Sequence, residues 1–138
     1  MTQSSIDIEA NPRHVSIVAL PDAVISTLTG IFDVINGAAL AGMTHPDVPV
    51  PFHVHIVGEA IGPLELASGV PINVQRAVET IKTSDIVIVP SVLLRSQKWV
   101  KGRYPQLVEW LRTMHARGAI LCSACSGIFL LAETGLFD

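Results

Sequence analysis

Two cysteines stand three residues apart near the end of the chain, in Ala-Ile-Leu-Cys-Ser-Ala-Cys-Ser-Gly-Ile-Phe-Leu-Leu-Ala-Glu-Thr-Gly, residues 119–135. Such a pair can be a redox couple, or can offer one nucleophilic thiol beside one inert thiol. A redox C-x-x-C normally opens a helix with both sulfurs at its N-terminus. Here Ala119, Ile120, Leu121 and Cys122 form a short apolar run suited to a buried parallel strand, which puts Cys122 inside the strand. Ser126 and Gly127 are small and turn-compatible. Ile128 to Thr134 is a good helix, rich in Leu and Ala, with Gly135 as its stop. Cys125 therefore falls where a strand turns sharply into a helix. That is the geometry of a nucleophile elbow, in which the turn residue projects above the sheet. A thiol there lies near the positive end of a helix dipole, which favours the thiolate.

The other candidates for chemistry are weaker. His53 and His55 alternate along one strand and face one side. A metal site needs a third and a fourth ligand, and no His or Cys has matching spacing, so no metal and no cofactor is expected. His45 and His115 are isolated. Lys98, Lys101, Arg103, Arg112 and Arg117 gather around a Trp99-containing loop and the helix after it, and read as a solvated face.

The elements that must carry these residues follow from the pattern of apolar positions. His14–Leu20 reads as the first strand, ended by Pro21 and Asp22. Residues 23–40 are helical by pattern, with Leu28, Ile31, Phe32, Ile35 and Ala39 apolar. Residues 42–51 read as a loop. Phe52–Val57 is the second strand. Residues 63–72 form a small hairpin turning at Ser68-Gly69. Asn73–Ile81 reads as a short helix, Ile86–Val89 as a buried strand, and residues 91–102 as a loop or broken helix. Tyr104–Arg117 is an amphipathic helix, with Leu107, Val108, Trp110, Leu111 and Met114 inward and Gly118 as its stop. Strands alternating with helices predict an α/β fold with a mostly parallel sheet covered on both faces. In such folds ligands sit at the carboxyl ends of the strands, here Leu20, Pro90 and Ala124–Cys125.

Composition fits one core-forming domain. The chain has 138 residues, 49% of them hydrophobic and 15% charged, which is too short for two domains and too apolar for disorder. A net charge of -3 gives no reason to expect this segment itself to grip nucleic acid. Residues 1–13 are polar and read as a flexible leader with no secretory signal. The apolar runs are too short to span a bilayer. Reduced thiols and a cytoplasmic location are expected.

Three stretches carry a resemblance: Ser-Asp-Ile-Val-Ile-Val-Pro at 84–90, Gly-Arg-Tyr-Pro-Gln-Leu-Val-Glu-Trp-Leu at 102–111, and the cysteine-bearing segment at 118–136. Together they resemble the ThiJ/PfpI superfamily. More narrowly, they are similar to the class I glutamine amidotransferase-like domain at the N-terminus of AraC-family transcriptional regulators. The resemblance runs from His14 to the end. It implies a flavodoxin-like sandwich, usually dimeric, with Cys125 at the elbow. It also implies an acidic residue from the first helix reaching under that cysteine, and Gly30-Ile31-Phe32-Asp33-Val34 gives Asp33. The ligand-binding set is then Cys125, Ser126, Asp33, Ser91 and Val92. The sequence departs from the family in two ways. It stops at Asp138, where the family continues into further strands and a region bearing a His. The domain, residues 14–138, is therefore expected to be C-terminally incomplete, with Phe129, Leu130 or Phe137 left exposed. Enzymes of the superfamily also carry Gly-Gly after the strand ending at Pro90, where a backbone N–H helps form an oxyanion hole. Here Ser91-Val92-Leu93-Leu94 stands instead, which argues against acyl-transfer or hydratase chemistry.

The resemblance implies a ligand-sensing homodimer of a transcriptional regulator. A small metabolite, amino-acid-like or a quaternary amine, binds near the elbow, and DNA is reached only through a downstream helix-turn-helix domain. The alternative is a cysteine-dependent ThiJ/PfpI-type hydrolase or hydratase using Cys125 with Asp33. A thiol redox sensor is a third reading.

Overall fold

The computed structural model describes residues 12–44, 47 and 51–138. The expected leader up to residue 11 and half of the expected loop at 42–51 lie outside the described residues. The chain builds strands β1 (Arg13–Val18), β2 (Phe52–Gly58), β3 (Gly62–Glu65), β4 (Pro71–Val74), β5 (Arg76–Ala77), β6 (Ile86–Val89) and β7 (Ile120–Ser123). Its helices are α1 (Ile25–Thr44), α2 (Pro105–Ala116) and α3 (Ile128–Ala132). Five strands form one sheet in the order β5-β2-β1-β6-β7, and all its neighbours pair in parallel. β3 and β4 make a separate antiparallel hairpin.

The sheet order dictates where the helices go. The chain leaves β1 through α1 to reach β2 on one side, and leaves β6 through α2 to reach β7 on the other. Right-handed crossovers running in opposite directions place their helices on opposite faces. The result is the expected α/β sandwich. Val15, Ile17, Val54, Ile56, Val57, Val87 and Val89 fill the sheet, and Leu28, Leu107, Leu111 and Met114 close on it from the helices. Strands buried on both faces account for the nearly unbroken apolar runs.

Two elements differ from the sequence reading. Asn73–Ile81 is not a short helix; it is the end of β4, then β5, then a 3₁₀ turn at Val78–Thr80. The segment is held extended by β2, which pairs Val57 with Arg76 and Gly58 with Ala77. Gln75 locks the junction, since its backbone N–H donates to the Ile56 carbonyl at 2.8 Å and its side-chain oxygen accepts the Ile56 N–H at 2.7 Å. Tertiary pairing outweighs weak local preference here. α1 begins at Ile25 rather than residue 23, because Ala23 is drawn into a β-bridge with Val92, and it runs on to Thr44. The stop after α2 is as expected, with Gly118 at φ 98°, a conformation that favours glycine.

Candidate functional site

The site forms where β1, β6 and β7 end. Strand order reverses between β1 and β6, and in open α/β sheets that point leaves a crevice. In this chain two backbone hydrogen bonds tie the loops together across that point. The Val24 N–H donates to the Ser91 carbonyl at 2.8 Å, and the Leu93 N–H donates to the Asp22 carbonyl at 2.8 Å. The loop after β6 thus lies across the end of β1, and the elbow after β7 lies against that loop.

Cys125 is the elbow residue. It is exposed, it opens the 3₁₀ turn Cys125–Gly127, and its φ is 46°. A non-glycine residue in this region is strained, and such strain persists only where the surroundings impose it. Here it is imposed by close packing behind the turn. The Ala124 N–H is held by the Val89 carbonyl at 2.9 Å. A Cβ on Gly127 would lie 2.5 Å from the carbonyl oxygens of both Val89 and Pro90. The turn therefore presses its backbone onto the end of β6, and Cys125 absorbs the reversal. Cys122 sits in β7 and is only half-buried, because β7 is an edge strand. α3 is five residues long, shorter than the expected 128–134, so less of a helix dipole faces the thiol.

Ser126 shows what the elbow does with the loop after β6. Its hydroxyl donates to the Val92 carbonyl at 2.7 Å and accepts the Val92 N–H at 2.9 Å. Ser91 adds a bond from its Oγ to the Ala124 carbonyl at 3.3 Å. The structure thus brings Cys125, Ser126, Ser91 and Val92 into one cluster. It also commits the Val92 N–H to Ser126, so that donor does not point at a substrate oxygen. Asp33 does not join the cluster. It is exposed on α1 and shares no hydrogen bond with Cys125. The helix phase explains this: Leu28, Ile31, Phe32 and Ile35 take the face toward the sheet, which turns Asp33 toward solvent.

A second group was not anticipated from the sequence. Asp22 is 2% exposed, and its carboxylate accepts from both Arg103 and the Tyr104 hydroxyl, the latter at 2.8 Å. Burial raises the Tyr104 phenol to about 12, with the bond to Asp22 and its negative charge adding to the effect. Arg103 stacks over the rings of Trp99 and Tyr104, 5.1 and 5.0 Å from their centroids. Trp99 in turn stacks on Phe129 and donates its indole N–H to Glu133 at 2.7 Å. Arg103, Arg112 and Arg117 stay exposed, as a solvated face requires, while Arg103 pairs with Asp22 and Arg112 and Arg117 donate to the carbonyls of Thr134 and Lys82. Beside this group, at the ends of β1 and β2, a cavity of about 290 Å³ is lined by Leu20, Glu59, Leu64, Arg103, Tyr104 and Leu107, among others. The one sequence signal for it was an acid, Asp22, directly after a buried strand.

A parallel sheet wound both ways with an accessory hairpin is a flavodoxin-like sandwich, the fold this chain shares with DJ-1 and ThiJ/PfpI proteins. Solved structures agree. The chain superposes on DJ-1beta of Drosophila melanogaster with a TM-score of 0.69 at 18% identity, covering 91% of this chain and 61% of that one. A ThiJ/PfpI family protein from Pseudomonas syringae gives 0.68 at 15%, covering 99% and 52%. An AraC family transcriptional regulator from Pseudomonas putida gives 0.70 at 20%, covering 92% and 63%. No family model matches the chain. Among curated proteins it is 26% identical over 112 residues to the HTH-type transcriptional regulator CdhR of Pseudomonas aeruginosa, covering 81% of this chain and 31% of that protein. The chain thus spans about a third of the curated relative's length. Among the described residues no helix is long and apolar enough to cross a membrane.

Proposed function

We propose that this domain is the ligand-sensing, dimerising part of an AraC-type transcriptional regulator, and that it reads a small metabolite at the strand ends rather than turning one over. The observation that carries the reading is the Ser126–Val92 pair. An acyl-transfer site at an elbow needs a free backbone donor aimed at the developing oxyanion. Here the Val92 N–H is spent on Ser126 at 2.9 Å. What remains is an exposed, strained Cys125 framed by Ser91, Val92 and Ser126, suited to contact a ligand. The likeness to transcriptional regulators supports the same reading. DNA is then engaged through a helix-turn-helix domain outside this chain. Asp33, on the outer side of α1, belongs with the surface offered to a second copy.

Alkylation of the two thiols tests this. Iodoacetamide is expected to label Cys125 faster than Cys122, and a bound effector to slow Cys125 selectively in a metabolite screen. Simple amides, esters and α-keto aldehydes are expected to show no turnover. A robust hydrolase or hydratase activity that disappears in Cys125→Ser would transfer the assignment to the cysteine-dependent enzyme.

A further inference from the structure

An unassigned group of cations gathers between the start of β1, at His14, and β5, whose Arg76 pairs with Val57 near the end of β2. His14 pairs with His53 and Ser16 with His55 in the parallel register of β1 and β2, so these side chains share one face of the sheet. The His14 and His53 rings meet edge to face at 5.8 Å. Beside them lies a cavity of about 280 Å³ lined by His14, Arg76, Thr80, Lys82 and Thr83. The Arg117 guanidinium reaches the same rim from the end of α2, donating to the Lys82 carbonyl at 2.6 Å. The nearby carboxylate is engaged elsewhere: Asp85 accepts the His14 backbone N–H at 2.8 Å and pairs with Arg13 at 3.7 Å. Glu79 is exposed on the 3₁₀ turn. Among the described residues neither Arg76 nor Lys82 makes an ion pair. His55 is held below its ordinary value first by burial, then by Arg76, His14 and His53. The local field is thus positive, in a chain whose net charge is -3.

We propose that this concavity binds a doubly charged oxyanion of the phosphate or sulfate type. Arg76 and Lys82 supply charge and donors, and an arginine fork fits two oxygens of such an ion. Thr83 supplies a hydroxyl. Thr80 shapes the wall, because its own hydroxyl already donates to the Ala77 carbonyl at 2.7 Å. His14 offers a ring N–H as a further donor. A metal ion does not fit this donor set, and among the described residues no three His, Cys, Asp or Glu side chains converge to hold one. The site is a single concavity rather than an extended basic stripe, which suits one anionic group better than a nucleic-acid backbone. None of its lining residues belongs to the Cys125 cluster, so it stands independently of the effector reading.

The test is a titration of sulfate into the chain at constant ionic strength, balanced with chloride and followed by amide NMR shifts. Saturable shifts are expected at His14 and over residues 76–83. Arg76→Gln and Lys82→Gln are each expected to weaken binding about fivefold or more with an unchanged circular dichroism spectrum. Inorganic phosphate and glycerol phosphate then separate the sources. Equal affinity identifies the free ion, and tighter binding of the ester identifies a phosphorylated metabolite. Shifts that rise linearly with concentration, that chloride reproduces, or that survive both substitutions overturn the site.

Discussion

At the scale of single residues, Tyr104 offers a direct measurement, because it is the chain's one tyrosine. Its phenol is pushed from 10.0 to about 12 by burial and by its bond to Asp22. Both effects favour the neutral form in the folded state. Above pH 10 the unfolded chain releases its proton while the folded chain keeps it, so the unfolded state binds fewer protons and stability falls as pH rises from 10 toward 12. The phenolate ultraviolet band is therefore expected to appear only near pH 12, or abruptly with unfolding. Tyr104→Phe should abolish that part of the alkaline stability loss. A smooth titration near pH 10 in the folded protein would show that the Asp22–Tyr104 bond does not hold in solution. Cys125 was legible at this scale, because Ser and Gly after a short apolar run leave only a tight turn. Its proposed tie to Asp33 was not, since helix phase and not residue type decides where a carboxylate points.

At the scale of elements, the elbow depends on one glycine. A Cβ at Gly127 meets two backbone oxygens at 2.5 Å, and neither strand β6 nor the turn can move without breaking the Ala124–Val89 bond. Gly127→Ala is expected to cost about 2–3 kcal/mol, read as a drop of several degrees in the melting temperature. Gly30, exposed on α1, has nothing within 4 Å of an added Cβ. Gly30→Ala should therefore stabilise by about 0.5–1 kcal/mol through helix propensity. Equal effects at the two positions in calorimetry would contradict the close approach. The contrast also explains the misread segment at 73–81. Its helix signal was local, whereas the partner that holds Gln75 extended, Ile56 of β2, lies nineteen positions away in sequence.

At the scale of the whole molecule, two groups of uncovered apolar side chains among the described residues bear on assembly. Val34 is 80% exposed and Leu40 57% exposed on α1. Ile120 in β7 and Phe137 beside it are each 62% exposed, Phe129 on α3 is 40% exposed, and Leu130 is fully buried. The α1 patch is the one continuous with Asp33, and isologous pairing through such a helix face is the common route to a dimer. Light scattering at micromolar concentration is expected to give a dimer. Val34→Lys should shift it to monomer with a melting temperature changed only slightly, since exposed positions contribute little to folding. A monomer before any substitution would remove dimerisation from the proposed function.

The sequence by itself determined the α/β alternation, the four strands that became β1, β2, β6 and β7, the amphipathic α2 with its glycine stop, and the elbow at Cys125. Each is written in local pattern: apolar runs of strand length, helical spacing, and small residues where the chain must turn. Only the tertiary structure decided that Ser126 would occupy the Val92 N–H, that Asp22 would be buried beneath Arg103 and Tyr104, and that the histidines of β1 and β2 would gather beside Arg76 and Lys82. These groups come from segments tens of residues apart. Their meeting is fixed by strand register and by the direction of the crossovers, which no window of sequence contains.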